Sequence, residues 1–263
     1  MKLRSVPSKQ RRCAFCSRDD RKITKEHAWP AWLGTVVSLE HARVSLNLRG
    51  KRPVTWTARD DPGLSVNDVC GDCNTGWMGE LEDRALPFLA PMIRDATPIR
   101  FSLEQATTLS AWALKTAMVF DLLVAAPLRR YTGEERGALR SRSIAPLTML
   151  VWLGAYSGTT PLSATDWWGQ YTTTRENGTQ QQGTVSVATI SAGRFACQVA
   201  SFQGLDQPLL GTFRTPGLDG ALMQLWPIER QRFDAGLDWP PAEILDDAKF
   251  GILQNRFEKT VTG

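Results

Sequence analysis

The sequence predicts an α+β protein in which a metal-bound N-terminal module precedes a C-terminal region of one or two helices packed on an antiparallel sheet. Three observations carry this. Cys13-Ala14-Phe15-Cys16 and Cys70-Gly71-Asp72-Cys73 repeat one knuckle spacing inside a polar, basic stretch that has few long apolar runs. Ser102-Leu103-Glu104-Gln105 opens an apolar stripe that ends at Pro127. After Pro146, short runs of β-branched and aromatic residues alternate with Gly, Asn, Gln and Pro.

In chain order, residues 42–48 and 53–58 alternate apolar and polar positions around Arg49-Gly50-Lys51-Arg52, the pattern of a hairpin with a basic tip. The residues after Asn74 bring Trp77, Leu81 and Leu86 into rough helical spacing, with a stop expected at Pro87. A second helix begins at the Ser102 capping box, and Leu109, Trp112, Ala113, Thr116, Ala117, Phe120 and Val124 form its stripe. That stripe reads as core without chemistry. Strands are expected over 147–153, 166–174, 184–190, 195–202 and 221–226. The division that follows is a metal-stabilised module with a hairpin insertion over 1–88 and an α+β accessory domain over 89–263.

With 42% hydrophobic and 22% charged residues, the 263-residue chain has the makeup of a globular protein and the length for a sizeable core. Five cysteines are too few for a disulfide-built scaffold, and no apolar segment follows the charges of the N-terminus as a secretory signal requires. The nearest approach to a membrane span, residues 109–128, is interrupted by Lys115 and Asp121. A cytoplasmic setting without membrane contact is expected. The net charge of +4 is unevenly spread: residues 1–60 hold 14 Lys/Arg against 5 Asp/Glu, whereas the rest of the chain is net acidic. Such a basic front attracts a polyanion.

In a reducing compartment, paired Cys-x-x-Cys turns point to metal. Two of them supply four thiolates, which close a tetrahedral zinc site and leave no ligand position for catalysis. Cys13, Cys16, Cys70 and Cys73 are therefore expected to hold a structural Zn²⁺, worth about 10–16 kcal/mol of apparent binding energy to a segment without much core of its own. Glu26-His27 follows the first knuckle and Asn74 adjoins the second, so closing the site gathers a carboxylate, an imidazole and an amide.

This order resembles the HNH endonucleases, whose nuclease unit is a ββα-metal finger. The matching residues are Cys13 and Cys16, Glu26-His27 with Pro30 following, Asn67, and Cys70-x-x-Cys73-Asn74, over roughly residues 10–85. The stretches GWMGELE and WALKTAMV also look like those of bacterial and phage proteins described as HNH endonucleases. Two departures stand out: Glu26 takes the place where Asp is commoner, and the 42 residues between His27 and Cys70 are long for the family.

The resemblance implies metal-dependent hydrolysis of DNA phosphodiester bonds. Glu26 and Asn74 would hold a catalytic Mg²⁺ or Mn²⁺, His27 would be the general base, and Asn67 would fix the imidazole or its loop. His41 is expected at the surface. Arg18, Arg21, Lys22, Lys25, Arg49, Lys51 and Arg52 are the candidate phosphate contacts, joined by Lys9 and Arg59 nearby. Six such contacts would give a log–log salt slope near about −5. Two other classes fit the same residues: a non-catalytic zinc ribbon that grips nucleic acid or a protein, and an enzyme reusing the finger on a small molecule. The sequence leaves the oligomeric state open, a homodimer included.

Overall fold

The structure, a computed structural model, describes residues 11–58, 63–174, 178–205, 214–229, 233–234 and 236–257, and it is mixed α+β. Lys9 and Arg59 lie outside the described residues. Strand β1 (Ile23–His27) pairs antiparallel with β4 (Ser65–Cys70) as a separate two-stranded sheet, with Ile23 opposite Cys70 and His27 opposite Ser65. A wide π-helical turn, Asp72–Met78, then leads into α2 (Gly79–Asp95). Between the two strands lie α1 (Leu33–Val36) and the expected hairpin, β2 (Arg43–Asn47) and β3 (Val54–Thr57).

Helix α2 does not stop at Pro87. It continues through Pro91 to Asp95 because Leu81, Ala85, Leu89, Met92 and Ile93 form one fully buried stripe. A proline inside a helix costs about 3 kcal/mol, and burying a large aliphatic side chain contributes about 1.5–3 kcal/mol, so the packed face outweighs the two breaks.

After β5 (Ile99–Arg100), helix α3 (Leu103–Leu122) starts at the expected capping box, with Ser102 and Gln105 bonding reciprocally. Helix α4 (Gly133–Arg142) carries a second capping box at Thr132 and Glu135, in a stretch for which no element is expected from the sequence. Strands β6 (Met149–Ala155), β7 (Leu162–Thr174), β8 (Gln180–Ala192), β9 (Phe195–Gln203) and β10 (Met223–Trp226) follow. Strand β11 (Asp238–Trp239) pairs with β5, and α5 (Asp247–Asn255) is capped by Asp246. Cys197 is buried on β9, as a small apolar residue should be.

The main sheet has seven strands in the order β10-β6-β9-β8-β7-β2-β3. Its pairs are antiparallel except β2 with β7, where Val44 lies opposite Leu162 and Asn47 opposite Thr165. The hairpin is thus the edge of the C-terminal sheet. Joining β7 pairs the backbone of β2 and buries Val44 and Leu46. A division at residue 88 cuts α2, and one apolar core runs from Phe15 and Val69 to Leu109 and Ile190. Helix α3 lies in that core with both of its faces buried, Lys115 and Asp121 included. Among the described residues, no helix is long and apolar enough to cross a membrane.

Candidate metal centre and the charged clusters around it

The first knuckle is a tight turn: Ser17 N–H donates to the Cys13 carbonyl at 2.9 Å and Cys13 N–H to the Arg18 carbonyl at 2.9 Å. Ala14 N–H donates to the Asp68 carbonyl at 2.8 Å, which docks this turn on β4. Beneath it, Phe15 packs on Trp77 with ring centroids 5.5 Å apart. The sulfurs of Cys13, Cys16, Cys70 and Cys73 all lie within 4.8 Å of one another, and Cys16 Sγ is 3.7 Å from Cys70 Sγ. Zinc–sulfur bonds of about 2.3 Å arranged tetrahedrally place sulfurs about 3.8 Å apart, so the four cysteines are positioned to bind a metal such as zinc.

The cluster's electrostatics fit a cation. Cys13 accepts a hydrogen bond from the Cys73 thiol and others from the backbone N–H groups of Cys70, Cys16 and Phe15, which hold its pKa down to about 4 against its burial. Cys73, the donor in that pair, is pushed well above the usual thiol range. A bound dication favours the thiolate form in all four.

Asn74, one residue past Cys73, donates through Nδ2 to the Lys25 carbonyl at 2.9 Å and to Thr24 Oγ1 at 3.2 Å. Both amide hydrogens are thereby used on β1, and Oδ1 is the atom left to meet a cation. The turn carrying the second knuckle is thus fastened to the strand carrying Glu26 and His27. The register of β1 with β4 shifts between Thr24 and Glu26, giving β4 one extra residue at Asn67 and Asp68. Bulges of this kind re-aim side chains. His27 is half-buried at the end of β1. Asn67 is exposed, and its carbonyl accepts from Arg11 Nη1 at 3.5 Å.

Glu26 turns inward, only 6% exposed. Its carboxylate lies 3.8 Å from the ammonium of Lys115, which is fully buried on α3 and bonds Glu82 of α2 at 2.5 Å. Burial raises the Glu26 pKa to about 7 against the pull of Lys115, with Glu82 adding to the rise. Lys115 and Glu82 were not anticipated as part of this neighbourhood. The available signal was a lysine interrupting the apolar stripe, together with an acid in the segment after Asn74.

The basic candidates divide. Lys22, Lys25, Lys51 and Arg52 are exposed and form no ion pair among the described residues. Arg18 is paired with Asp20 at 2.7 Å and Arg21 with Asp72 at 3.1 Å, both in solvent. Arg49 is a correction: its side chain is 11% exposed and bridges Asp121 at 3.1 Å and Asp166 at 2.6 Å, while its N–H donates to Asp166 at 2.7 Å. Two buried carboxylates hold it more strongly than an exposed phosphate contact would, so it braces the hairpin tip. His41 is exposed in the turn before β2, as expected. The cavity beneath that tip, lined by Arg49, Asp121, Tyr131, Asp166 and Ser186, has room for about one water and gives a small-molecule reading no support.

No protein-family model, curated protein or solved structure matches the chain.

Proposed function

We propose that the protein is a metal-dependent endonuclease of the HNH type that hydrolyses DNA phosphodiester bonds. The observation that carries this reading is the fastening of Asn74 to the backbone of Lys25 beside a four-cysteine metal centre. It ties the amide to the strand that carries Glu26 and His27, and phosphodiester hydrolysis uses all three residue types. In this mechanism His27 takes the proton from the attacking water. Asn74 Oδ1 and the Glu26 carboxylate would hold Mg²⁺ or Mn²⁺, which when bound offsets charge on the phosphate. Lys115, 3.8 Å from Glu26 Oε1, would favour the ionised form of that carboxylate. The cysteine site is structural, since all of its ligand positions are protein. Lys22 and Lys25 supply phosphate contacts.

A second reading, a zinc-stabilised module that grips nucleic acid without cutting it, is favoured by the inward turn of Glu26 onto Lys115. A supercoiled-plasmid assay with Mg²⁺ or Mn²⁺ separates the two. Nicking is expected from the wild-type protein and is expected to vanish in His27→Ala, with zinc content unchanged at about one per chain. Wild-type protein that retards DNA without nicking it would select the binding module.

A further inference from the structure

Three consecutive residues after α3 touch three separate elements. Leu128 packs on the hairpin tip at Gly50, where an added Cβ would meet its Cδ1 at 2.3 Å. Arg129 reaches Asp68 of β4 at 3.5 Å. Arg130 lays its guanidinium over the indole of Trp168 on β7, 3.9 Å from the ring centroid. The loop therefore contacts the strand of the second knuckle, the basic hairpin tip and one exposed aromatic.

Trp168 is the only one of the ten tryptophans in an exposed position, at 40%. It lies on the same face of β7 as Asp166, where the β7–β8 ribbon runs on with Gln170, Thr172 and Thr174 exposed. The carboxylates below it are neutralised: Asp166 by Arg49, and Asp121 by Arg49 and Arg136. Arg130 is stacked on the Trp168 ring, and on the hairpin tip that Arg49 N–H fastens to Asp166 the exposed Lys51 and Arg52 form no ion pair among the described residues. A pinned, exposed indole on the strand that anchors a basic hairpin tip matches the chemistry of a nucleic-acid strand whose bases are unpaired, because only an unstacked base can offer its face to a side chain. Stacking under Arg130 also lowers the ordering cost of presenting the ring.

We infer that Trp168, Arg130, Lys51 and Arg52 form a docking surface for single-stranded nucleic acid, with Trp168 as the base-stacking platform. The inference deepens the nuclease reading by naming its substrate class as nucleic acid with an unpaired segment, and it rests on that reading only for what happens after binding.

The test is binding of a fluorescein-labelled oligothymidylate and of a duplex, without added Mg²⁺ or Mn²⁺ so that cleavage does not enter. Trp168→Ala is expected to weaken oligothymidylate binding by about tenfold or more and to leave duplex binding unchanged, while Trp168→Phe keeps most of it. Lys51→Ala with Arg52→Ala should reduce the log–log salt slope by about 2. Equal single-strand binding by Trp168→Ala and wild type would overturn the inference. So would the absence of single-strand binding by the wild type, or displacement of the oligonucleotide by polyglutamate, which would assign the surface to an acidic protein. Single-strand binding through Trp168 in a protein that never nicks plasmid would retain this surface and remove only the nuclease reading. Nicking by a wild type whose single-strand binding ignores Trp168 would do the reverse.

Discussion

Helix α3 buries two charges, and the molecule treats them differently. Asp121 is saturated: Arg136 bonds it at 2.6 Å, Arg49 at 3.1 Å, and the N–H groups of Arg130 and Tyr131 donate at 3.0 and 3.3 Å. Lys115 has three donors, yet its recorded partners are one bond to Glu82 and a looser approach to Glu26. Asp121 thereby ties the hairpin tip and the α4 segment to the sheet, although Arg49 and Arg136 each keep a buried Nε without a partner among the described residues. At Lys115 a carboxylate is left with its pKa raised, on the strand that leads to His27. A buried carboxylate that gathers four donors, as Asp121 does, acts as a structural joint, whereas a buried carboxylate with a raised pKa, as at Glu26, is a candidate place for chemistry.

Stripping the metal should break this comparison most sharply. The Lys115 cluster depends on β1 keeping its place, and β1 and β4 form an isolated pair that is marginal without the knuckles. Loss of about 10–16 kcal/mol of apparent metal binding is expected to expose the amides of β1 and β4 to hydrogen exchange while β8 and β9 stay protected. Cys70→Ser should give the same pattern. Uniform loss of protection, or none, would show that the two halves share one source of stability.

The next contrast is between two substitutions on the one helix. Asp121→Ala leaves the buried Arg136 guanidinium without its carboxylate and Arg49 with Asp166 alone, and should cost about 3–5 kcal/mol in urea denaturation. Lys115→Met should cost only about 1–2 kcal/mol. It preserves volume, Glu82 is partly exposed, and Glu26 takes up a proton readily. Equal losses would mean that Lys115 is as structural as Asp121.

What the sequence made legible, and what it hid, follows from the range of the forces involved. The knuckles, the capping box at Ser102 and the hairpin around Gly50 are local signals, and each was readable within a few residues. The parallel pairing of β2 with β7 was not, because a strand's partner more than a hundred residues away leaves no mark on its own alternation. Pro87 read as a stop because propensity is local, whereas the buried stripe that overrides it depends on tertiary packing. Arg49 read as a phosphate contact for the same reason: nothing beside it in sequence announces Asp121 and Asp166. The candidate site was legible as residues, but the inward turn of Glu26 was not. Lys115 and Asp121 were visible as interruptions of an apolar stripe, and a buried charge in such a stripe has to be paired with something.

The smallest expected effect sharpens the contrast through pH. In the folded protein Glu26 has its pKa raised to about 7, chiefly by desolvation, from an ordinary value of 4.5. The folded state therefore holds a proton on Glu26 more tightly than the unfolded chain does. Ionised Glu26 costs stability above about pH 7, and that cost fades as pH falls from about 7 toward about 4.5. Glu26→Gln removes the ionisation while keeping the shape. In zinc-loaded protein without Mg²⁺ or Mn²⁺, the variant should gain on the wild type between about pH 5 and about pH 8 by on the order of 1–3 kcal/mol. Added Mn²⁺ should shrink this difference if Glu26 is a ligand, because a dication favours the carboxylate in the wild type and Gln offers it less. A stability difference independent of pH would show that Glu26 is ionised throughout, and the Lys115 cluster would then be a structural joint like the one around Asp121.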